Sequence, residues 1–291
     1  MIGLFDEPAV RTVALGTAAI GALAGFIGTF AVVRRQSLLG DAISHAALPG
    51  LALAFLLGAR SPIVLIAGAA VAGWIAIALV AGLVRGRHAS FDTALGGALA
   101  VFFGIGLALL TAIQKHIPDA TRHGLDRYLF GQAAIMDETD VRVVAAVGLI
   151  SLGIVLALWK PIQLLCFDPD FAAVQGWPIR RLDALLAALV VVATVTGLQA
   201  VGVVLMSSLL VAPAVAARQW LNRLGPMAAL AAAFGGIAGF AGTIGSHLLS
   251  KDNRTVPTGP VIVLVATALV AISLARSLFA RRVIAPAGAT S

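Results

Sequence analysis

Long apolar runs alternate with short clusters of charge along the whole chain. The runs fall at roughly 11–33, 38–58, 62–84, 91–113, 139–159, 182–199, 201–218, 226–249 and 257–278. Each is close to the ~20 residues that a helix needs to cross ~30 Å of hydrocarbon. Apolar positions are continuous within a run, whereas the strands of a membrane barrel would alternate with period two over shorter segments. The pattern predicts an all-α, polytopic transmembrane bundle of about nine spans, within a range of eight to ten. Only Gly197, Leu198, Gln199 and their neighbours part the sixth run from the seventh, so one of these is expected to be a broken or re-entrant helix. Residues 1–284 then form one membrane domain, and 285–291 a small, polar, disordered cytoplasmic tail.

Composition removes the soluble alternatives. The 291 residues are 60% hydrophobic and 11% charged, with a mean hydropathy of +1.02. Soluble domains are roughly 45–50% apolar and about 25% charged. A net charge of +7 would suggest nucleic acid in a soluble protein, but here the basic residues cluster at the ends of spans, which is an orientation signal. Nucleic acid is therefore not an expected partner; the lipid bilayer is. Placing Arg34 and Arg35 inside puts twelve of the twenty basic residues on the inner side and eight outside, with the N-terminus outside and the C-terminus inside. Residues 12–33 run into Arg34 without a small-residue cleavage site, so no separate secretory signal is expected. The single cysteine, Cys166, excludes an intramolecular disulfide and any multi-cysteine metal site, and is read as packing.

Against this background the polar residues inside spans stand out. Asp41 and His45 lie four apart in the second run, on one face of a helix and one turn from each other. With Ser37 as the expected N-cap, Asp41 sits roughly 6 Å and His45 roughly 12 Å into the span. A carboxylate there costs roughly 2.5–3.5 kcal/mol on insertion scales, so it is expected to face a bundle interior or a water-filled path. Both side chains ligate divalent metals, and the pair is expected to line the route of a metal ion. The competing reading is a satisfied polar pair that bonds neighbouring helices. Pro49 and Gly50 are expected to loosen the helix one turn later. His88 and Asp92 are also four apart, but Ser90 and Asp92 read better as caps of the fourth span.

The loop after the fourth span holds His116, Asp119, His123 and Asp126, either a receiving site for metal or a solvated docking surface for a partner. Asp137, Glu138 and Asp140 read as the cap of the fifth span. The stretch 166–178 reads as a helix of about two turns pinned at both ends. Asp168 is the N-cap, Pro169 the first position and Asp170 the acidic first turn, while Gly176 stops it and Pro178 blocks continuation. Phe167, Phe171 and Val174 supply its apolar contacts. Gly21 and Gly25, and the stripe Gly235, Gly239, Gly242 and Gly245, are small-residue faces for close helix packing, within the chain or between subunits. Ser207, Ser208 and Pro213 make the seventh span a second polar, breakable one. The run 251–254 reads as a charged turn and His247 as interfacial.

Together, RRQSLLGDAISHAALPGLALAF (34–55), FDTALGG (91–97), GLDRYLFGQ (124–132), FDPDFAAVQGWP (167–178) and GVVLMSSLLVAPAVAA (202–217) resemble the permease subunits of ATP-binding-cassette importers for manganese, zinc or iron. The resemblance runs from about residue 11 to 278 and is most specific around Asp41 and His45. It implies a bacterial cytoplasmic (inner) membrane protein that works as a permease homodimer or closely related pair. It also implies two cytoplasmic ATPase subunits and an extracytoplasmic metal-binding protein as partners. Asp41 and His45 match the family's path positions, and 168–177 matches the segment that docks into the ATPase. Asp168, Pro169, Asp170, Phe171 and Gly176 are thus the expected coupling residues. The chain has no GxxxxGK[ST] loop, so ATP is expected on a partner and the chain is not expected to be an enzyme. The cargo expected is Mn2+, Zn2+ or Fe2+, with Asp41 and His45 from two copies meeting near an axis. The competing readings are a permease for a metal chelate, a gradient-driven secondary metal transporter and an intramembrane enzyme, for which HExxH is absent.

Overall fold

The structure, a computed structural model, describes residues 8–59, 61–116, 131, 133, 136–250 and 256–284. Among the described residues the chain forms helices α1 (Pro8–Val33), α2 (Leu39–Leu56), α3 (Pro62–Arg85), α4 (Phe91–His116), α5 (Glu138–Ala157), α6 (Trp159–Phe167), α7 (Pro169–Val174), α8 (Ile179–Val201), α9 (Val203–Arg218), α10 (Leu224–Leu249) and α11 (Thr258–Ile284). Eight of them are long and apolar enough to span a membrane; the shorter α9 corresponds to the seventh of the nine expected runs. The expected runs map in order onto α1–α5 and α8–α11.

Glycine sets the closest contacts. Thr17, Gly21 and Gly25 of α1 face Gly239, Gly235 and Ala231 of α10 in turn, so the two helices run antiparallel. A Cβ on Gly21 or Gly235 would overlap the other's carbonyl oxygen. Both small-residue stripes are thereby used within one chain, as close backbone approach in lipid requires. Gly50 of α2 meets Gly68 and Ala72 of α3 in the same way. The other faces of α4 and α5 stay open, with Val101, Ile105, Leu149 and Ile150 exposed as a bilayer demands.

The sixth and seventh spans form a sharp hairpin. Gly202 turns the chain with φ +88° and ψ 162°, backbone open only to glycine. Gly197 then packs on Met206, and α9 doubles back amid α1, α2, α8, α10 and α11. The break is at Gly202, whereas α9 runs unbroken through Pro213 and α2 through Pro49. Neither proline interrupts its helix. Ser37 does not cap α2: Arg35 takes φ +58°, Leu38 occupies the cap position without a side-chain bond, and the helix starts at Leu39. The cap of α5 is as expected, a box in which Asp137 and Asp140 each accept from the other's backbone N–H.

At the end of the bundle where α1 stops, Arg34 bonds Asp183 of α8 at 2.6 Å, and Phe30 meets the edge of Trp159. α6 was not expected from the pattern. It continues α5 after a kink at Leu158 and carries the chain to α7. The expected turn at 251–254 and tail at 285–291 lie outside the described residues.

Candidate metal path and docking helix

Asp41 enters α2 in its first turn, where the helix N-terminus favours negative charge. His45 follows one turn on, its Nε2 3.5 Å from Asp41 Oδ1. That is ion-pair reach but longer than a good hydrogen bond. The side chains are 35% and 15% exposed, so the pair keeps one open edge. Phe103 of α4 packs edge-on against the imidazole with centroids 4.7 Å apart, and Nδ1 is buried with no hydrogen-bond partner. Gly106 lets α4 approach Leu48 and Pro49 one turn further along. The pair is therefore not absorbed into bonds with neighbouring helices. It offers one oxygen and one nitrogen donor toward one edge of α2. Among the described residues no group of three or more His, Cys, Asp or Glu converges, and Asp41 and His45 are the two donors seen there.

His88 and Asp92 do not form a comparable pair. Ser90 Oγ accepts from the backbone N–H of Thr93 at 3.3 Å, so this stretch is the cap of α4. His116 ends α4, while its side chain and Asp119, His123 and Asp126 lie outside the described residues.

α7 is built as its sequence predicts. Asp168 accepts from the backbone N–H of Phe171 at 2.9 Å, and Pro169 opens the helix. Gly176 closes it with φ +85°, while Trp177 and Gly176 donate to Ala172 and Ala173. These two bonds are a Schellman stop. Ala172 is buried, so Phe167, Phe171, Val174 and Trp177 turn outward, Val174 at 85% exposure. The short helix, pinned at both ends, thus carries an exposed apolar row.

One residue near α7 escaped the sequence reading, while another, Cys166, was expected as packing. Asp183 is the partner of Arg34, and the only local signal is one acid just inside an apolar run. Cys166 is a packing residue: burial pushes its thiol up to about 11, although the Arg34 charge pulls the other way. With its pKa raised this far it stays protonated at neutral pH.

A bundle of this many spans, with an acid and an imidazole on an open edge of one of them, defines a multi-pass membrane protein of the transporter class. The chain belongs to the ABC 3 transport family, whose model matches residues 6–277. It is 45% identical to the zinc transport system membrane protein TroC of Treponema pallidum, over 94% of this chain and 91% of that protein. It is 41% identical to the manganese transport system membrane protein MntC of Bacillus subtilis, over 92% of this chain and 61% of that protein. Among solved structures it resembles PsaBC from Streptococcus pneumoniae in complex with Fab, with a TM-score of 0.80, 30% identity, and coverage of 94% of this chain and 93% of that one. The protein is a transport component of the bacterial inner membrane.

Proposed function

We propose that the chain is the permease subunit of an importer for a divalent transition-metal ion, manganese or zinc, with iron compatible with the same donors. The observation that carries this is the Asp41–His45 pair: two metal donors one turn apart in a span, with an open edge and no strong partner. Mixed carboxylate and imidazole donors suit these ions. The relatives named as zinc and manganese transport proteins favour the same cargo.

Two donors are too few to strip an ion of its water. A second copy, related by a two-fold axis beside α2, would bring the set to four. The missing Nδ1 partner fits a transient site. A ligating imidazole ordinarily donates its other N–H to an acceptor that raises its basicity, and without one it holds the ion less tightly. An ion in transit has to leave. Protonated imidazole does not ligate, so uptake falls as the pH is lowered.

Energy comes from outside the chain, since it carries no phosphate-cradling loop. α7 is the contact for a cytoplasmic ATPase, with the end bearing Arg34 facing the cytoplasm. ATP binding draws the two α7 helices together, and their motion passes through α6 into α5 and through Asp183–Arg34 into α1. His116, Asp119, His123 and Asp126 are assigned to the outer face, as a docking or metal-receiving surface for an extracytoplasmic metal-binding protein. The test is uptake of manganese and zinc by the reconstituted importer. Uptake should need ATP and persist when proton and sodium gradients are collapsed. Gradient-driven uptake without the ATPase would replace this reading with a secondary transporter.

A further inference from the structure

Between the second half of α3 and the first half of α8 lies an open groove of about 560 Å³. Trp74, Ile77 and Ala81 form one wall, and Ala184 and Ala187 the other. Its mouth carries Gln36, Arg85, Arg180 and Asp183. The one acid at the mouth is already engaged, bonded to Arg34 at 2.6 Å. Arg85 gives its Nε to the Ala81 carbonyl at 2.9 Å, which leaves its terminal nitrogens free to reach outward. Among the described residues neither Arg85 nor Arg180 has an ion-pair partner.

The position of the groove restricts what fills it. Eleven residues separate Trp74 from Arg85, about 16 Å along the helix, which is half of a ~30 Å hydrocarbon core. The apolar walls therefore reach as deep as one leaflet, and the arginines lie at the depth of its headgroups. The groove is not the ion route. Leu39 lines it, and Leu39 lies two residues, or about 200°, around α2 from Asp41.

We propose that this groove binds one anionic phospholipid. Its phosphate sits between Arg85 and Arg180, and an acyl chain runs along the wall from Ala81 to Trp74. The guanidinium fork matches phosphate oxygens, and basic pockets between spans on the cytoplasmic side are natural headgroup sites. Charge complementarity favours this occupant over a second copy, because a two-fold contact there would set the unpaired arginines of both chains near one another. The site touches the start of α2 and the start of α8, so an occupied groove ties the segment after α7 to the helix that carries Asp41.

The test is native mass spectrometry of the full-length permease with equal amounts of palmitoyl-oleoyl phosphatidylglycerol and phosphatidylcholine. The wild type should retain one phosphatidylglycerol per chain in preference to phosphatidylcholine. R85Q/R180Q should bind phosphatidylglycerol roughly thirtyfold more weakly, at about five- to sixfold per arginine. R85K/R180K should keep the preference, and Ala184→Trp should exclude both lipids by filling the wall. Size-exclusion elution as a single peak shows that each variant has folded. Equal retention of the two lipids by wild type, or unchanged binding by R85Q/R180Q, overturns the proposal. So does displacement by excess inorganic phosphate with Ala184→Trp unaffected, which marks a free-anion site. A disulfide between copies of Ala184→Cys in the assembled importer overturns it too, since that face would then be a subunit contact.

Discussion

Two polar pairs inside the bundle have opposite surroundings. Thr17 of α1 and Thr243 of α10 are buried and fully bonded. The Thr17 hydroxyl has the Val13 and Gly239 carbonyls as acceptors at 2.9 and 3.1 Å and lies 2.8 Å from Thr243 Oγ1, while the Thr243 hydroxyl has the Gly239 carbonyl as acceptor at 2.9 Å. The glycines beside them bring the two backbones into contact. Asp41 and His45 of α2 have a 3.5 Å contact, an orphaned nitrogen and an open edge. Polar groups in lipid are retained either because they close helix contacts or because something passes them. The first pair is structure, and the second is left unsatisfied by the fold.

That contrast can be broken at several points. The largest effect is expected from Gly235→Leu. A side chain there meets the Gly21 backbone, so the chain should fail to elute as one species, at a cost of about 4 kcal/mol or more. Gly104→Leu on the open face of α4 has nothing to strike and should fold normally. Val174→Asp on α7 comes next. It places a charge in the apolar row, and roughly tenfold weaker ATPase association is expected in a pull-down, with the permease itself folded. Thr17→Val removes bonds from the seam without touching the metal pair. It should cost about 1 kcal/mol, seen as a melting temperature lower by about 2–4 °C, with uptake unchanged. The smallest effect belongs to Cys166→Ala, which should leave uptake as it is. In the wild type, alkylation of this thiol should be slow at pH 8 and climb about tenfold per pH unit toward pH 11, as the thiolate fraction does.

Legibility in the sequence follows the range of the interaction. The caps of α5 and α7 were readable because Asp137–Asp140 and Asp168–Phe171 are contacts within one turn. The Asp41–His45 pair was readable for the same reason. Its open edge and the approach of Phe103 were not, because they depend on how α4 packs. The α8–α9 break was expected near residues 197–199, yet Gly202 makes it. Pro213, the obvious breaker, is accommodated because α9 is enclosed by other helices. Ser37 looked like a cap, but the turn at Arg35 shifts the helix start beyond it. The Arg34–Asp183 bridge joins residues that no local pattern links.

The measurement closest to the centre is uptake of manganese and zinc by the complete importer in proteoliposomes, with Asp41→Ala and His45→Ala. Both variants should fold and hydrolyse ATP, while uptake falls by about a hundredfold or more, as loss of a metal ligand should cost at least as much as loss of its supporting partner. Uptake at the wild-type rate by either variant, with ATP hydrolysis intact, would contradict the role assigned to the pair.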